Sequence, residues 1–170
     1  MELYFSPNGR ISQGTYWRGV ITLFVISAVL SAVAAYVSPF IGFLGIIFIW
    51  PWIALHVKRF HDAGKTGWLT LAMVVLAFIV SFVVGMLLMG AFGVDAASMQ
   101  QEMMEDMESM QSSGDPGAVM AYAMEQSKKM AQKQLIPNLL SSGIVTAAIG
   151  FVMSLFKSDP ADNQYGPPAA

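Results

Sequence analysis

The chain has 170 residues, of which 55% are hydrophobic and only 12% charged, and its mean hydropathy is +0.57. An average soluble domain is about 25% charged, and a soluble fold of this size has too little interior to bury so much apolar surface. A lipid bilayer is therefore the expected solvent. The sequence contains no cysteine, which excludes disulfides, thiolate metal sites and thiol catalysis. The net charge of −2 is uninformative as a total, so the distribution of charge matters more.

Four apolar runs follow one another along the chain, at residues 19–37, 40–57, 68–94 and 137–156. All four reach the roughly 20 residues that a membrane-spanning helix needs, and the third is long enough to tilt or to protrude. Lipid offers no partner for open backbone groups, so each run is expected to be helical. The predicted fold class is an all-α membrane protein, a single membrane domain with four transmembrane helices, an N-terminal tail at 1–18 and a C-terminal tail at 157–170.

The segment 95–136 differs from the rest in composition, because it holds eight of the 13 methionines, seven acids and three lysines. Four of the methionines recur at helical spacing: Met99, Met103, Met107 and Met110. The sequence SGDPG at 113–117 interrupts the segment, with Asp115 suited to cap a helix that begins at Pro116. We therefore expect an extra-cytoplasmic insert between the third and fourth spans, folded as an amphipathic helical hairpin.

Basic residues are distributed unevenly over the connections. With four spans, the N-tail, the loop after the second span and the C-tail share one side. This side carries six basic residues: Arg10, Arg18, Lys58, Arg59, Lys65 and Lys157. The other side carries three: Lys128, Lys129 and Lys133. Because basic residues favour the cytoplasmic side of short loops, we expect both termini in the cytoplasm.

The connection between the second and third spans, KRFHDAGKTGW at 58–68, is rich in polar groups. Its GKT does not predict a phosphate-binding loop, since Arg59 stands where that motif needs a glycine. His56 and His61 are five residues apart, which is not the i, i+4 spacing of helical metal ligands. The sequence thus predicts no catalytic residue, no cofactor and no metal site. Interfacial anchoring is expected from tryptophans near the span ends: Trp17, Trp52 and Trp68.

Three motifs together resemble a known family: NGRIS at 8–12 with Tyr16-Trp17 after it, KRFHDAGKTGW at 58–68, and NQYGPP at 163–168. In this combination and order the chain resembles DUF805, a family of small bacterial inner-membrane proteins. The resemblance covers about residues 4–94 and 137–168, and the acidic, methionine-rich insert departs from it. It implies a multi-pass protein of the bacterial inner membrane and no established biochemical activity.

By this topology all three motifs lie on one face of the membrane. We expect a cytoplasmic polar cluster formed by residues from each motif: Arg10, Lys58, Arg59, His61, Asp62, Asn163 and Tyr165. Asp62 is the only acid in its loop, so it is the expected partner of Arg10 or Arg59. The alternative is that polar residues collect on the cytoplasmic face without forming one site.

Three functions are compatible with these features. The favoured one is a non-enzymatic protein that binds anionic lipid headgroups or another membrane protein through the polar cluster. The second is a small transporter or channel subunit, with a homo-oligomer forming the pore, although the spans carry no ionisable residue beyond His56. The third is a lipid-modifying enzyme using His61 and Asp62 as acid–base groups, which no nucleophile accompanies. The expected partner in every case is the lipid bilayer, and nucleic acid is not expected.

Overall fold

The computed structural model describes residues 2–93, 96–111 and 116–169, and it is helical apart from its loops. The elements are α1 Glu2–Phe5, α2 Gln13–Tyr36, a 3-10 helix Pro39–Phe48, α3 Ile49–Asp62, α4 Leu69–Ala91, α5 Ala96–Gln111 and α6 Pro116–Ser154. Four helices are long and apolar enough to cross a membrane: Gln13–Tyr36, Pro39–Asp62, Leu69–Leu88 and Pro116–Ser154. The predicted class, an all-α membrane protein with four transmembrane helices, is confirmed.

The second and fourth spans differ in detail from their sequence predictions. The second begins as a 3-10 helix and becomes α-helical at Ile49, two residues before Pro51, whose nitrogen cannot donate to the preceding turn. The helix that carries the fourth apolar run begins well before Pro137, because α6 runs from Pro116 through Pro137 to Ser154 without a break. A proline inside a membrane helix removes one backbone hydrogen bond, and neighbouring helices allow this loss.

In the insert, α5 lies against the N-terminal part of α6. The Tyr122 hydroxyl donates to the Asp106 carboxylate between the two helices. Of the predicted methionine stripe, the Met103 side chain is half-buried and that of Met107 is 39% exposed. The side chains of Met99 and Met110, the end of the third span at Val94 and Asp95, and the predicted turn at 112–115 with Asp115 lie outside the described residues.

The core lies between α2, α3 and α6, near the ends of the spans that carry the predicted polar cluster. It consists of eight buried side chains: Ile11, Tyr16, Val20, Leu23, Leu55, Phe60, Ile149 and Met153. Close approach depends on Gly150, where an added Cβ would overlap the Trp17 ring. The far faces of the helices are apolar and exposed, as at Phe78 (72%) and Phe82 (69%) of α4, which suits helices surrounded by lipid.

Candidate functional site

Three segments that are distant in sequence meet at one end of the helical bundle. They are the N-tail before α2, the end of α3 with the turn after it, and the C-tail after α6. Two glycines with positive φ make the reversals that bring them together, Gly9 at +85° and Gly64 at +68°, a region that side chains rarely adopt. The three sequence motifs therefore share one side of the molecule.

Arg10 joins all three segments through its guanidinium. Its Nε donates to Asp62 Oδ1 at 3.3 Å, and its Nη1 donates to the carbonyls of Ala161 at 2.8 Å and Gly166 at 3.1 Å. Its Nη2 donates to the carbonyls of Asp62 and Asp159. The planar fork of arginine offers five N–H donors, so Arg10 is committed to the protein's own acceptors.

Arg59 approaches Asp62 from the opposite side. Its Nη1 donates to Asp62 Oδ2 at 2.6 Å and to the Ser158 hydroxyl at 3.1 Å. Its Nη2 donates to the Phe156 carbonyl. Arg59 is 0% exposed, and its Nε has no hydrogen-bond partner among the described residues.

Asp62 is the centre of this arrangement. Its two carboxylate oxygens are divided between Arg10 and Arg59, and the Ser158 hydroxyl donates to Oδ2 at 2.5 Å. Its carbonyl accepts the Asp159 N–H at 2.7 Å. We call Arg10, Arg59, Asp62 and Ser158 the charged network. Its ionic groups are bonded to one another and to the C-tail, so its main effect is to hold the tail on the end of α3.

Asn163 and Tyr165 extend this arrangement along the tail. The Asn163 amide donates to the His61 carbonyl at 3.1 Å and to Asp159 Oδ2 at 3.3 Å. Hydrogen bonds from the Ala161 N–H and from Asn163, together with the charge of Arg10, hold the pKa of Asp159 below its ordinary value. The Tyr165 ring stacks on the His61 ring with centroids 3.7 Å apart and planes 5° apart.

The remaining predicted residues lie elsewhere. Lys58 is not part of the charged network, since its ammonium donates to the Glu2 carbonyl of α1 at 2.7 Å. Trp17 packs between helices, with its indole N–H on the Ser154 hydroxyl at 3.0 Å. Trp52 is half-buried against the core, whereas Trp68 is 77% exposed, as an interfacial side chain would be.

Beside the charged network lies a cavity of about 570 Å³, here called the loop-side cavity. Each of the three motifs contributes polar residues to its lining, Asn8 of the N-tail, His61 and Thr66 of the α3–α4 connection and Tyr165 of the C-tail, and α4 contributes Thr70. Its apolar lining includes Trp50 and Trp68. A cavity lined by both apolar and polar residues suits an amphipathic ligand.

A second cavity of about 440 Å³, here called the inner cavity, lies between α3, α4 and α6. Its lining is apolar apart from His56, Thr70 and Thr146. His56 is saturated, because Nδ1 donates to the Trp52 carbonyl at 2.7 Å and Nε2 accepts from the Tyr16 hydroxyl at 3.1 Å. Thr70 is only 5% exposed, and its hydroxyl has no hydrogen-bond partner among the described residues.

Sequence reasoning missed Ser158, Asn8, Thr66 and Thr70. Serine, threonine and asparagine are common near span ends, so no sequence signal separates these four from their neighbours. Their positions within motifs could have drawn attention to Asn8, which opens NGRIS, and to Thr66, which lies inside KRFHDAGKTGW. Within the described ranges, no group of three or more His, Cys, Asp or Glu side chains is arranged to hold a metal ion.

No curated protein and no solved structure matches the chain. A family model matches residues 4–167 of the 170 as one continuous range. The range includes the first two motifs in full, the third as far as Pro167, and the four apolar helices. The chain belongs to the family described as "Protein of unknown function (DUF805)".

Proposed function

We propose that this protein is a non-enzymatic, multi-pass protein of the bacterial inner membrane that binds a phospholipid headgroup in the loop-side cavity. The observation that carries the proposal is the mixed lining of that cavity, to which each of the three motifs contributes a polar residue. The charged network supports this lining by fixing the C-tail, which places Tyr165 against His61.

The binding role is assigned to the cavity rather than to the arginines because the arginines are already engaged. Arg10 and Arg59 have side chains that are about 1% exposed, and their donors face Asp62 and tail carbonyls. A lipid phosphate would have to displace the C-tail to reach them. Asn8 and Thr66 line the cavity, and an amide and a hydroxyl are groups that can donate to a phosphate without any such displacement.

The arrangement disfavours the lipid-modifying enzyme that His61 and Asp62 suggest in sequence. Asp62 is bonded to Arg10, Arg59 and Ser158 and does not contact the imidazole. His61 Nδ1 faces the Gly9 carbonyl at 3.2 Å instead. An acid–base pair requires the two groups within hydrogen-bond reach of one another or of a shared proton.

The proposed orientation places the charged network and both termini in the cytoplasm. It is supported by the convergence of the two tails and the α3–α4 connection at one end. At this end Arg18, Lys65 and Lys157 are exposed, where basic residues contact anionic headgroups. Reporter fusions test it: a fusion after Ala170 should report cytoplasm, and one between Ser113 and Gly117 should report the opposite side. The same compartment for both contradicts the four-span topology.

Lipid binding is tested with purified protein in mild detergent by native mass spectrometry. A phospholipid should be retained about tenfold better than a diacylglycerol with the same acyl chains, the equivalent of about 1.4 kcal/mol from headgroup contacts. Equal retention of both lipids would show that the headgroup does not contribute to binding and would contradict the proposal. A copurifying membrane protein in place of lipid would favour the protein-partner alternative.

A further inference from the structure

We infer that the loop-side and inner cavities form one phospholipid site, which selects headgroups ending in a hydrogen-bond donor, an ammonium or a hydroxyl group. This inference rests on the proposed function and specifies its ligand. The headgroup lies in the loop-side cavity beside His61, and one acyl chain follows the inner cavity between α3 and α4. Three observations carry it: the lining residues that the two cavities share, the Nε2 atom of His61 without a hydrogen bond, and the unpartnered Thr70 hydroxyl.

The two cavities are adjacent along α3 and α4. Four residues line both of them: Ile53, Thr70, Leu71 and Val74. The loop-side cavity adds polar groups at the end of the bundle, and the inner cavity adds apolar groups further along α4, such as Ala77. The order of polar and then apolar lining along one path matches the order of headgroup and acyl chain in a phospholipid.

His61 gives the headgroup preference. Its Nδ1 faces the Gly9 carbonyl at 3.2 Å, and a carbonyl only accepts, so Nδ1 carries the hydrogen. The neutral ring then presents an acceptor lone pair at Nε2, which no described residue contacts by a hydrogen bond. A Cβ at Gly67 would lie 3.1 Å from this nitrogen, so a larger residue there would crowd Nε2 and the glycine avoids that contact. A ligand donor satisfies Nε2, and a trimethylated ammonium does not.

Thr70 supplies a second polar group at the junction of the two cavities. Its hydroxyl is buried and unpartnered in the described structure, and Thr70 is among the residues that line both cavities. A buried hydroxyl without a partner is costly, and in a phospholipid the ester carbonyls lie between headgroup and chains. The Thr70 hydroxyl donates to such a carbonyl.

The groups around the mouth fit a phosphate between these two contacts. Thr66 accepts the Trp68 N–H at 3.4 Å through its oxygen, which leaves its own hydrogen for the ligand. Asn8 lines the same cavity, and its side-chain amide is a second donor. Donors therefore face the phosphate and an acceptor faces the end of the headgroup.

The test compares phosphatidylethanolamine with phosphatidylcholine of identical acyl chains, since the two differ only in the methyl groups on nitrogen. Each is titrated against the full-length protein in detergent, and retention is measured by native mass spectrometry. Wild type should prefer phosphatidylethanolamine about fivefold, the effect of one hydrogen bond. Equal retention of the two lipids, both above diacylglycerol, overturns this inference and leaves the proposed function standing. No retention of any phospholipid overturns the proposed function.

Two matched variants test the role of His61. His61→Asn places an amide where Nδ1 lies and keeps a donor for Gly9, whereas His61→Gln places its amide where Nε2 lies. Both lose the stacking on Tyr165 equally. The ratio of phosphatidylethanolamine to phosphatidylcholine retention should fall to about one in His61→Asn and stay as in wild type in His61→Gln. Preference retained in His61→Asn, in protein that melts as wild type does, contradicts the assignment.

Thr70→Val tests the ester contact with a variant of nearly the same shape. Without added lipid it should melt at or above the wild-type temperature, because an unpartnered hydroxyl is removed. The rise in melting temperature on adding phosphatidylethanolamine should be smaller than in wild type. An unchanged rise shows that the hydroxyl does not contact the lipid, and it overturns this part of the inference.

Discussion

The charged network and the loop-side cavity lie side by side and use the same three motifs in opposite ways. In the network, the charged side chains of Arg10, Arg59 and Asp62 form hydrogen bonds with one another and with the C-tail. In the cavity, His61 and Thr70 are weaker groups with unused hydrogen-bonding capacity. The difference teaches that a buried charge whose hydrogen bonds go to the protein itself does not by itself identify a binding group, whereas the proposed site rests on unused hydrogen-bonding capacity in a cavity.

The largest expected effect comes from Asp62→Asn. The substitution removes the anion between Arg10 and Arg59, both of which have nearly inaccessible side chains, and buried cations without compensation are costly. We expect a loss of about 3–5 kcal/mol in the free energy of unfolding, measured by thermal melting in detergent.

The matched control is Glu125→Gln, which removes the exposed ion pair with Lys129. Its side chains are 57% and 65% exposed, and such pairs contribute at most about 1 kcal/mol. Equal losses in the two variants would mean that the charged network is no more than a surface ion pair.

The next effect is coupling between Arg59 and Asp62. Arg59→Lys removes the fork that reaches Asp62, Ser158 and the Phe156 carbonyl together, and a single ammonium does not replace it. The double variant Arg59→Lys, Asp62→Asn should lose less stability than the sum of the single variants, by about 1–3 kcal/mol. Strict additivity in melting experiments would mean that the contacts of the network stabilise the protein independently of one another.

Gly67→Ala tests the packing between the end of α3 and the start of α4, where the loop-side cavity lies. An added Cβ would lie 2.7 Å from Val57 Cγ1 and 3.1 Å from His61 Nε2, so the α3–α4 contact must shift. Overpacking of this kind costs about 1–3 kcal/mol, and the phosphatidylethanolamine preference should fall with it. Gly85→Ala is the control, since nothing lies within 4 Å of its added Cβ, and a comparable loss there would refute the packing argument.

The four membrane helices follow from sequence because apolar runs of this length have few alternatives in lipid. The choice of Asp62 as partner for the arginines also follows, since it is the one acid of the loop. The other acceptors do not follow. The carbonyls of Ala161 and Gly166 receive Arg10, and every residue carries a carbonyl, so only the path of the chain selects these two.

Some residue roles depend on packing that no local pattern records. Trp17 has the position of an interfacial anchor, yet its ring packs on Gly150 and its indole bonds Ser154. Pro137 has the position of a helix start, yet α6 passes through it. The unpartnered state of the Thr70 hydroxyl is visible only once its surroundings are known.

The smallest expected effect is a pH dependence from Asp159 at the edge of the network. Its pKa lies below the ordinary 3.8 because Ala161, Asn163 and Arg10 favour the carboxylate. Its contribution to stability is therefore full above pH 3.8 and is lost as the pH falls through the lower folded-state pKa. The difference in melting temperature between wild type and Asp159→Asn should shrink as the pH is lowered below 3.8. A difference in melting temperature that grows as the pH falls would contradict the lowered pKa of Asp159.

The central claim, that the charged network stabilises and the cavity binds, is tested most directly by two readouts on the same two variants. Melting without lipid and the ratio of phosphatidylethanolamine to phosphatidylcholine retention are measured for Asp62→Asn and His61→Asn. The account predicts that Asp62→Asn melts well below wild type, while His61→Asn melts within about 3 °C of it and loses the lipid preference. If His61→Asn melts as low as Asp62→Asn and keeps the preference, the division between network and cavity is wrong.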